Sequence, residues 1–122
     1  MDLIRSILLR VENNTGDEPL TEISVEGKSQ EEIAYNVYLL HEAQLISGYF
    51  DFVNDMTKPK KFRIYRMTWA GHEFLDACRD EGRWVKAKEI FRQAGGVSFD
   101  VAKQILIQLM IQGATTFLTT HP

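Results

Sequence analysis

At 122 residues the chain is the size of one ordinary domain, long enough to bury roughly two-thirds of its unfolded surface. Hydrophobic residues make up 44% and charged residues 25%, which excludes a disordered or fibrous chain, while a single cysteine, Cys78, excludes an internal disulfide and a cysteine-based zinc site. The formal net charge of -3 speaks against a generally basic nucleic-acid protein, yet five of the 14 basic residues and none of the 17 acidic ones fall between Met56 and Gly71, which places a positive patch on an acidic body.

The opening Met1-Asp2-Leu3-Ile4-Arg5 lacks the basic region and cleavage site of a signal peptide. Apolar runs such as Ile105-Leu106-Ile107 are far too short to span a membrane. A cytoplasmic protein with no membrane partner is expected. From Asp2 to Asn13, Leu3, Ile4, Ile7, Leu8 and Val11 recur on one helical face, and the turn formers from Asn13 to Pro19 end that helix. Leu20 to Glu26 alternates apolar and polar residues as a short half-buried strand does, before Gly27-Lys28 turns the chain.

Ser29 stands at an N-cap position, with Glu31 and Glu32 in the first turn and Glu32 completing a capping box. The second helix runs to about Ala43, with Ile33, Val37 and Leu40 inward and Tyr35, Asn36, Tyr38 and Glu42 outward. Ser47 to Met67 reads as a hairpin, with Tyr49-Phe50-Asp51-Phe52-Val53 and Phe62-Arg63-Ile64-Tyr65-Arg66-Met67 as strands and a polar tip from Asn54 to Pro59. Thr68 caps a third helix, Trp69 to Arg79, in which Trp69, Leu75 and Cys78 lie inward and Gly71 permits close approach to a neighbour.

Trp84, Ala87, Ile90 and Phe91 mark a fourth helix ended by Gly95-Gly96, and Ser98 caps a fifth. Apolar residues cover most of the fifth helix, leaving Lys103, Gln104, Gln108 and Gln112 as its polar stripe. So wide an apolar surface is read as buried between chains, with Ile105, Leu106, Leu109 and Met110 as the dimer interface, or else as a central core helix.

Helix, short strand, capped helix, hairpin and helix is the order of a winged-helix domain. Leu40-His41-Glu42-Ala43-Gln44-Leu45-Ile46 and Met67-Thr68-Trp69-Ala70-Gly71-His72-Glu73-Phe74-Leu75 resemble the two segments that flank the wing in many such domains, except that Gln44 replaces the usual glycine. The expected class is α+β, with residues 1–80 forming a winged-helix-like domain and residues 81–122 a helical extension that packs on it or dimerises. Four stretches, Met1-Asp2-Leu3-Ile4-Arg5 with Ile7-Leu8-Leu9, Glu31-Glu32-Ile33-Ala34-Tyr35, Thr68 to Asp76 and Gly95-Gly96-Val97-Ser98-Phe99-Asp100, also resemble an uncharacterised family of small bacterial and phage or prophage proteins. That resemblance implies a phage or prophage context and a winged-helix-like fold, and no activity.

A winged-helix protein on duplex DNA inserts its capped helix into the major groove and lays its wing on the backbone. Lys58, Lys60, Lys61, Arg63 and Arg66 are the residues to neutralise phosphates, and Gln30, Tyr35 and Asn36 those to reach base edges or sugars. Glu31 and Glu32 oppose this, because they stand where phosphates would lie. Equally, a basic hairpin can be no more than a solvated edge that resists aggregation, and Tyr35 and Tyr38 can be packing residues. The other reading is a module that docks on a host protein.

Enzymatic signals are weak. His72 and Asp76 share a helix face with Glu73 nearby, but a third ligand is missing, and His41 and His121 are distant in sequence. Gly95-Gly96 lacks the residues that follow in a phosphate-binding loop, and Cys78 is apolar-faced and inert. No catalysis, metal or cofactor is expected.

Overall fold

The structure, a computed structural model, describes residues 1–52 and 58–120, residues 114–120 by their backbone alone. Among the described residues the chain is a mixed α+β protein of five helices and one two-stranded antiparallel hairpin: α1 (Asp2–Asn13), α2 (Gln30–Glu42), β1 (Ile46–Asp51), β2 (Lys61–Met67), α3 (Trp69–Arg79), α4 (Glu81–Gln93) and α5 (Phe99–Thr120). It divides into two compact units, Met1–Glu73 and Phe74–Pro122, with the boundary inside α3. Among the described residues no helix is long and apolar enough to cross a membrane.

In the first unit, α1 buries Leu3, Ile4, Ile7, Leu8 and Val11 and packs on α2 and β2. The Ser29 hydroxyl accepts from the Glu32 amide (3.1 Å), satisfying one of the free N–H groups that open α2. Ile33, Ala34, Val37 and Leu40 form the buried stripe of that helix.

The segment before α2 departs from its alternating pattern. Only Leu20 joins the sheet, exchanging both backbone hydrogen bonds with Ile64 (3.0 and 2.9 Å) on the edge of β2 away from β1. From Thr21 to Val25 the chain is irregular, and of its apolar residues Ile23 alone is fully buried. Gln30 ties that stretch down by donating its side-chain amide to the Ile23 carbonyl (3.2 Å). Alternation gave these residues a strand's face, but continuing the strand needs a paired backbone at every second residue.

The hairpin pairs Tyr49 with Arg63, Phe50 with Phe62 and Asp51 with Lys61, with a bulge between Ser47 and Gly48. Gly48 has no room for a side chain, because a Cβ would come within 2.6 Å of the Arg63 carbonyl oxygen. Phe50 turns toward α2, where its ring lies 5.3 Å from Tyr38 and 4.9 Å from His41. Among the described residues, His41 Nδ1 is buried there without a hydrogen-bond partner. The expected tip residues Val53 to Thr57 lie outside the described residues.

At the base of the hairpin, Thr68 donates its backbone N–H to the Leu45 carbonyl (2.9 Å) and its hydroxyl to the Gln44 carbonyl (2.7 Å). The same hydroxyl accepts from the Gly71 amide (3.1 Å), capping α3. Gly71 crosses so close to the Leu45 carbonyl that a Cβ would run into it.

This contact also corrects the expectation for Trp69. The ring is 79% exposed rather than inward. Gly71, Phe74, Leu75 and Cys78 set the buried phase of α3, and at about 100° per residue Trp69 points with His72, Glu73 and Asp76 to the opposite side.

In the second unit, the Asp80 carboxylate accepts from the Arg83 amide (2.7 Å) to cap α4, and Gly95 and Gly96 end it with φ of 76° and 102°. Trp84, Ala87 and Phe91 are the buried stripe of α4, and Phe74 stacks on Phe99 at 4.7 Å. On the solvent side the Arg92 guanidinium beside Glu89 holds its carboxyl below the usual carboxylate range. In α5, Ala102 and Leu106 are fully buried.

Two substitutions test the hairpin base through thermal or denaturant unfolding. Gly71→Ala is expected to destabilise by about 1–3 kcal/mol through overpacking against rigid backbone. Gln44 has a φ of 65°, a left-handed conformation that costs a residue with a Cβ about 1–2 kcal/mol. Gln44→Gly is therefore expected to stabilise, with a raised unfolding midpoint as the sign to look for.

Candidate functional site

The N-terminal end of α2, the stretch after Leu20 and the hairpin enclose an open groove of about 880 Å³ in the first unit. Lys58, Lys60, Lys61 and Arg63 line it from the hairpin, Gln30, Glu31 and Ala34 from α2, and Thr21 and Glu22 from the intervening segment. Four of the five hairpin cations singled out from the sequence thus share one concavity. Arg66 is not among its lining residues. It lies at the base of β2, where its guanidinium donates to the Met67 carbonyl (3.4 Å).

The hairpin places these charges by simple alternation. Phe62 and Ile64 are buried, so Lys61, Arg63 and Tyr65 are exposed. Pro59, which is buried, precedes Lys60, and the Lys60 amide donates to the Asp51 carbonyl (2.8 Å), extending the pairing by one residue.

The residues expected to read bases are differently disposed. Gln30 directs its amide nitrogen to Ile23, and Asn36 donates its own to the Glu32 carbonyl one turn back (2.9 Å). Tyr35 is exposed. Its neighbour Tyr38 packs edge-on against Phe50 and Phe52, at 5.3 and 5.1 Å.

The groove is not uniformly positive. Glu22, Glu31 and Asp51 share it with the cations, and Lys58 forms an ion pair with Glu31 at 3.5 Å. Glu32 pairs with Lys28 at 3.8 Å. Both carboxylates at the start of α2 therefore have a cation beside them: Lys28 and Glu32 are a local pair at i,i+4, whereas the pairing of Lys58 with Glu31 follows from the fold of the hairpin over the helix and is not revealed by spacing along the chain.

The remaining candidates are scattered. His72 and Asp76 are both exposed on α3, and the Asp76 carboxylate is engaged by Arg79 at 3.0 Å. Among the described residues no group of three or more His, Cys, Asp or Glu side chains converges to hold a metal ion. Cys78 is buried, and His121 lies outside the described residues. On α5, Leu106 is fully buried, while Ile105, Leu109 and Met110 are half-buried.

A family model described as "Hypothetical protein (DUF2513)" matches residues 1–98, which takes in the groove, the hairpin and α1 to α4. The chain belongs to this family. It is also 31% identical over 114 residues to a Haemophilus influenzae protein described as "Uncharacterized protein", the alignment covering 91% of this chain and 93% of that relative. No solved structure matches the chain. Neither description names a ligand or a reaction, so the groove is interpreted from its own chemistry.

The clamp between hairpin and helix can be measured directly. A double-mutant cycle on Lys58→Met and Glu31→Gln is expected to give a coupling of about 0.2–1 kcal/mol, the range of exposed ion pairs. The coupling should shrink as salt is raised from low to physiological ionic strength.

Proposed function

We propose that the chain is a non-enzymatic, winged-helix-like protein that binds the backbone of duplex DNA with its hairpin as the wing. The single observation that carries this reading is the gathering of Lys58, Lys60, Lys61 and Arg63 on one groove beside the start of α2. The order α1, Leu20 bridge, α2, β1, β2 supports the hairpin as a wing. The pairing of Glu31 and Glu32 with lysines supports the approach of a phosphate, because it reduces the repulsion that two bare carboxylates would exert.

In this reading the wing matters more than the helix. Gln30 and Asn36 hold backbone carbonyls of their own chain, so recognition rests on phosphate contacts, which position a protein on DNA without reading its sequence. The phage or prophage context implied by the family resemblance belongs to the same proposal. So does a homodimer through α5. What supports it is the apolar surface left at Ile105, Leu109 and Met110, with Val101 and Ile111 exposed beside them.

Fluorescence anisotropy with a labelled duplex over a range of salt tests the reading. Replacing Lys60, Lys61 and Arg63 together by Gln is expected to abolish binding at physiological salt. Each single replacement should lower the slope of log affinity against log salt by about 0.9 for the phosphate contact it removes. Glu31→Gln should tighten binding. No binding at low salt overturns the proposal.

A second reading, docking on a host protein, is favoured by the mixed charge of the groove, with Glu22, Glu31 and Asp51 among the cations. It predicts a protein complex that also uses the carboxylates, so that Glu31→Gln weakens it where DNA binding is expected to tighten.

A further inference from the structure

The hairpin face that brings Lys61 and Arg63 to the groove also carries Tyr49, a ring that backbone contacts with a duplex do not use. Tyr49 stands opposite Arg63, and Asp51 opposite Lys61, so the pleat puts these four on one face; Tyr65, two residues beyond Arg63, is the extra residue of the bulge, since Gly48 pairs with Ile64 and Ser47 with Arg66, and it too is exposed. Tyr49 is 60% exposed and Tyr65 53%. A hairpin kept soluble by charge needs only its lysines and arginines, and two half-bare aromatic rings beside them are an apolar surface without a covering.

Tyr49 and Tyr65 flank Arg63, the first across the ladder from it and the second two residues on in the same strand. We propose that the hairpin binds a single strand of nucleic acid, stacking unpaired bases on Tyr49 and Tyr65 while Lys61 and Arg63 meet its phosphates. The inference rests on the reading of the hairpin as a nucleic-acid wing, and it names an unpaired strand as a ligand of that wing.

Charge and ring chemistry select this occupant together. Lys61, Arg63 and Tyr65 are exposed at successive second positions of β2, and cations beside an aromatic ring are the combination by which sequence-tolerant single-strand binders track a backbone and stack its bases. A duplex keeps its bases stacked on one another and offers no free ring face to either tyrosine. Asp51 lies toward the tip beside Lys61, so of the two cations Arg63 is expected to make the stronger phosphate contact. The use of Gln30 and Asn36 within the chain agrees with a site that stacks bases without reading their edges.

Anisotropy titrations of the full chain with labelled oligothymidylate and oligouridylate of about 12 nucleotides, within the site sizes of stacking platforms, and with a duplex, test this. Single strands are expected to bind, and the two oligomers report whether DNA or RNA is preferred. Tyr49→Ala and Tyr65→Ala should each weaken single-strand binding about tenfold, the loss of a stacked base, and Tyr65→Ala, at a position outside the groove lining, should leave duplex binding unchanged. Tyr49→Phe and Tyr65→Phe should keep single-strand affinity, because the ring face is retained. Alanine variants that bind single strands as well as the wild type overturn the inference. Binding of the duplex without the single strands overturns it and leaves the wing reading standing, whereas binding of neither removes both.

Discussion

The carbonyl group of Leu45 is the point at which three elements of the first unit are fastened together. It accepts the Thr68 amide (2.9 Å), and Gly71 passes against it without a side chain to intervene. One residue earlier, the Gln44 carbonyl takes the Thr68 hydroxyl (2.7 Å), and Gln44 itself turns through a φ of 65° to release the chain from α2 into β1. The end of α2, the base of the hairpin and the start of α3 are thus held by a few bonds within two short segments. A two-stranded hairpin is marginal on its own in water. Here its base is fixed by that junction, its inner face by Phe50 against Tyr38 and His41, and its outer edge by the Leu20 bridge to Ile64.

Local signals in the sequence were enough for most of the elements. Ser29, Thr68 and Ser98 cap helices because a hydroxyl just before a helix meets a free amide whatever the rest of the protein does, and each is found doing so. The same holds for the strand alternation that exposes Lys61 and Arg63 and buries Phe62 and Ile64. Failures occurred where a residue's place depends on a distant partner. Size and apolarity place Trp69 inward, whereas the phase of α3 is set by the fit of Gly71 to Leu45 and leaves the ring exposed. Leu20 to Glu26 has a strand's pattern and meets a partner only at Leu20.

The candidate site was legible in its charges and not in its pairings. Lys58, Lys60, Lys61 and Arg63 stand out by spacing alone, but that Lys58 reaches Glu31, 27 residues away, is a consequence of the hairpin folding back over the helix. Gln30 and Asn36 are polar and lie near the start of a helix, which made them candidates for recognition. Their amide nitrogens go to the carbonyls of Ile23 and Glu32, and only the first of these needed a structure, since bonding to the carbonyl four residues back is an ordinary habit of a polar side chain in a helix. The outward pairing of Tyr49 with Arg63 required the strand register, which the bulge at Ser47 and Gly48 shifts by one residue.

Electrostatics then decide what sort of binder this groove can be. Its lining holds four cations and three carboxylates, a small positive excess on a chain whose net charge is -3. The pair of Lys58 with Glu31 is exposed, and exposed pairs contribute about 0–1 kcal/mol to stability. Its larger effect is on the neighbourhood. It removes one negative charge from the start of α2, where the helix dipole and the free amides favour an incoming anion, while it takes one lysine out of the count available to a ligand. The cations that remain, Lys60, Lys61 and Arg63, lie together along the start of β2 and leave the helix as a backing surface. On the proposed reading a phosphate backbone is met by few contacts, so affinity is modest and its salt dependence shallow, and selectivity has to come from a feature other than charge. On the hairpin the exposed rings of Tyr49 and Tyr65 are the side chains placed to supply it.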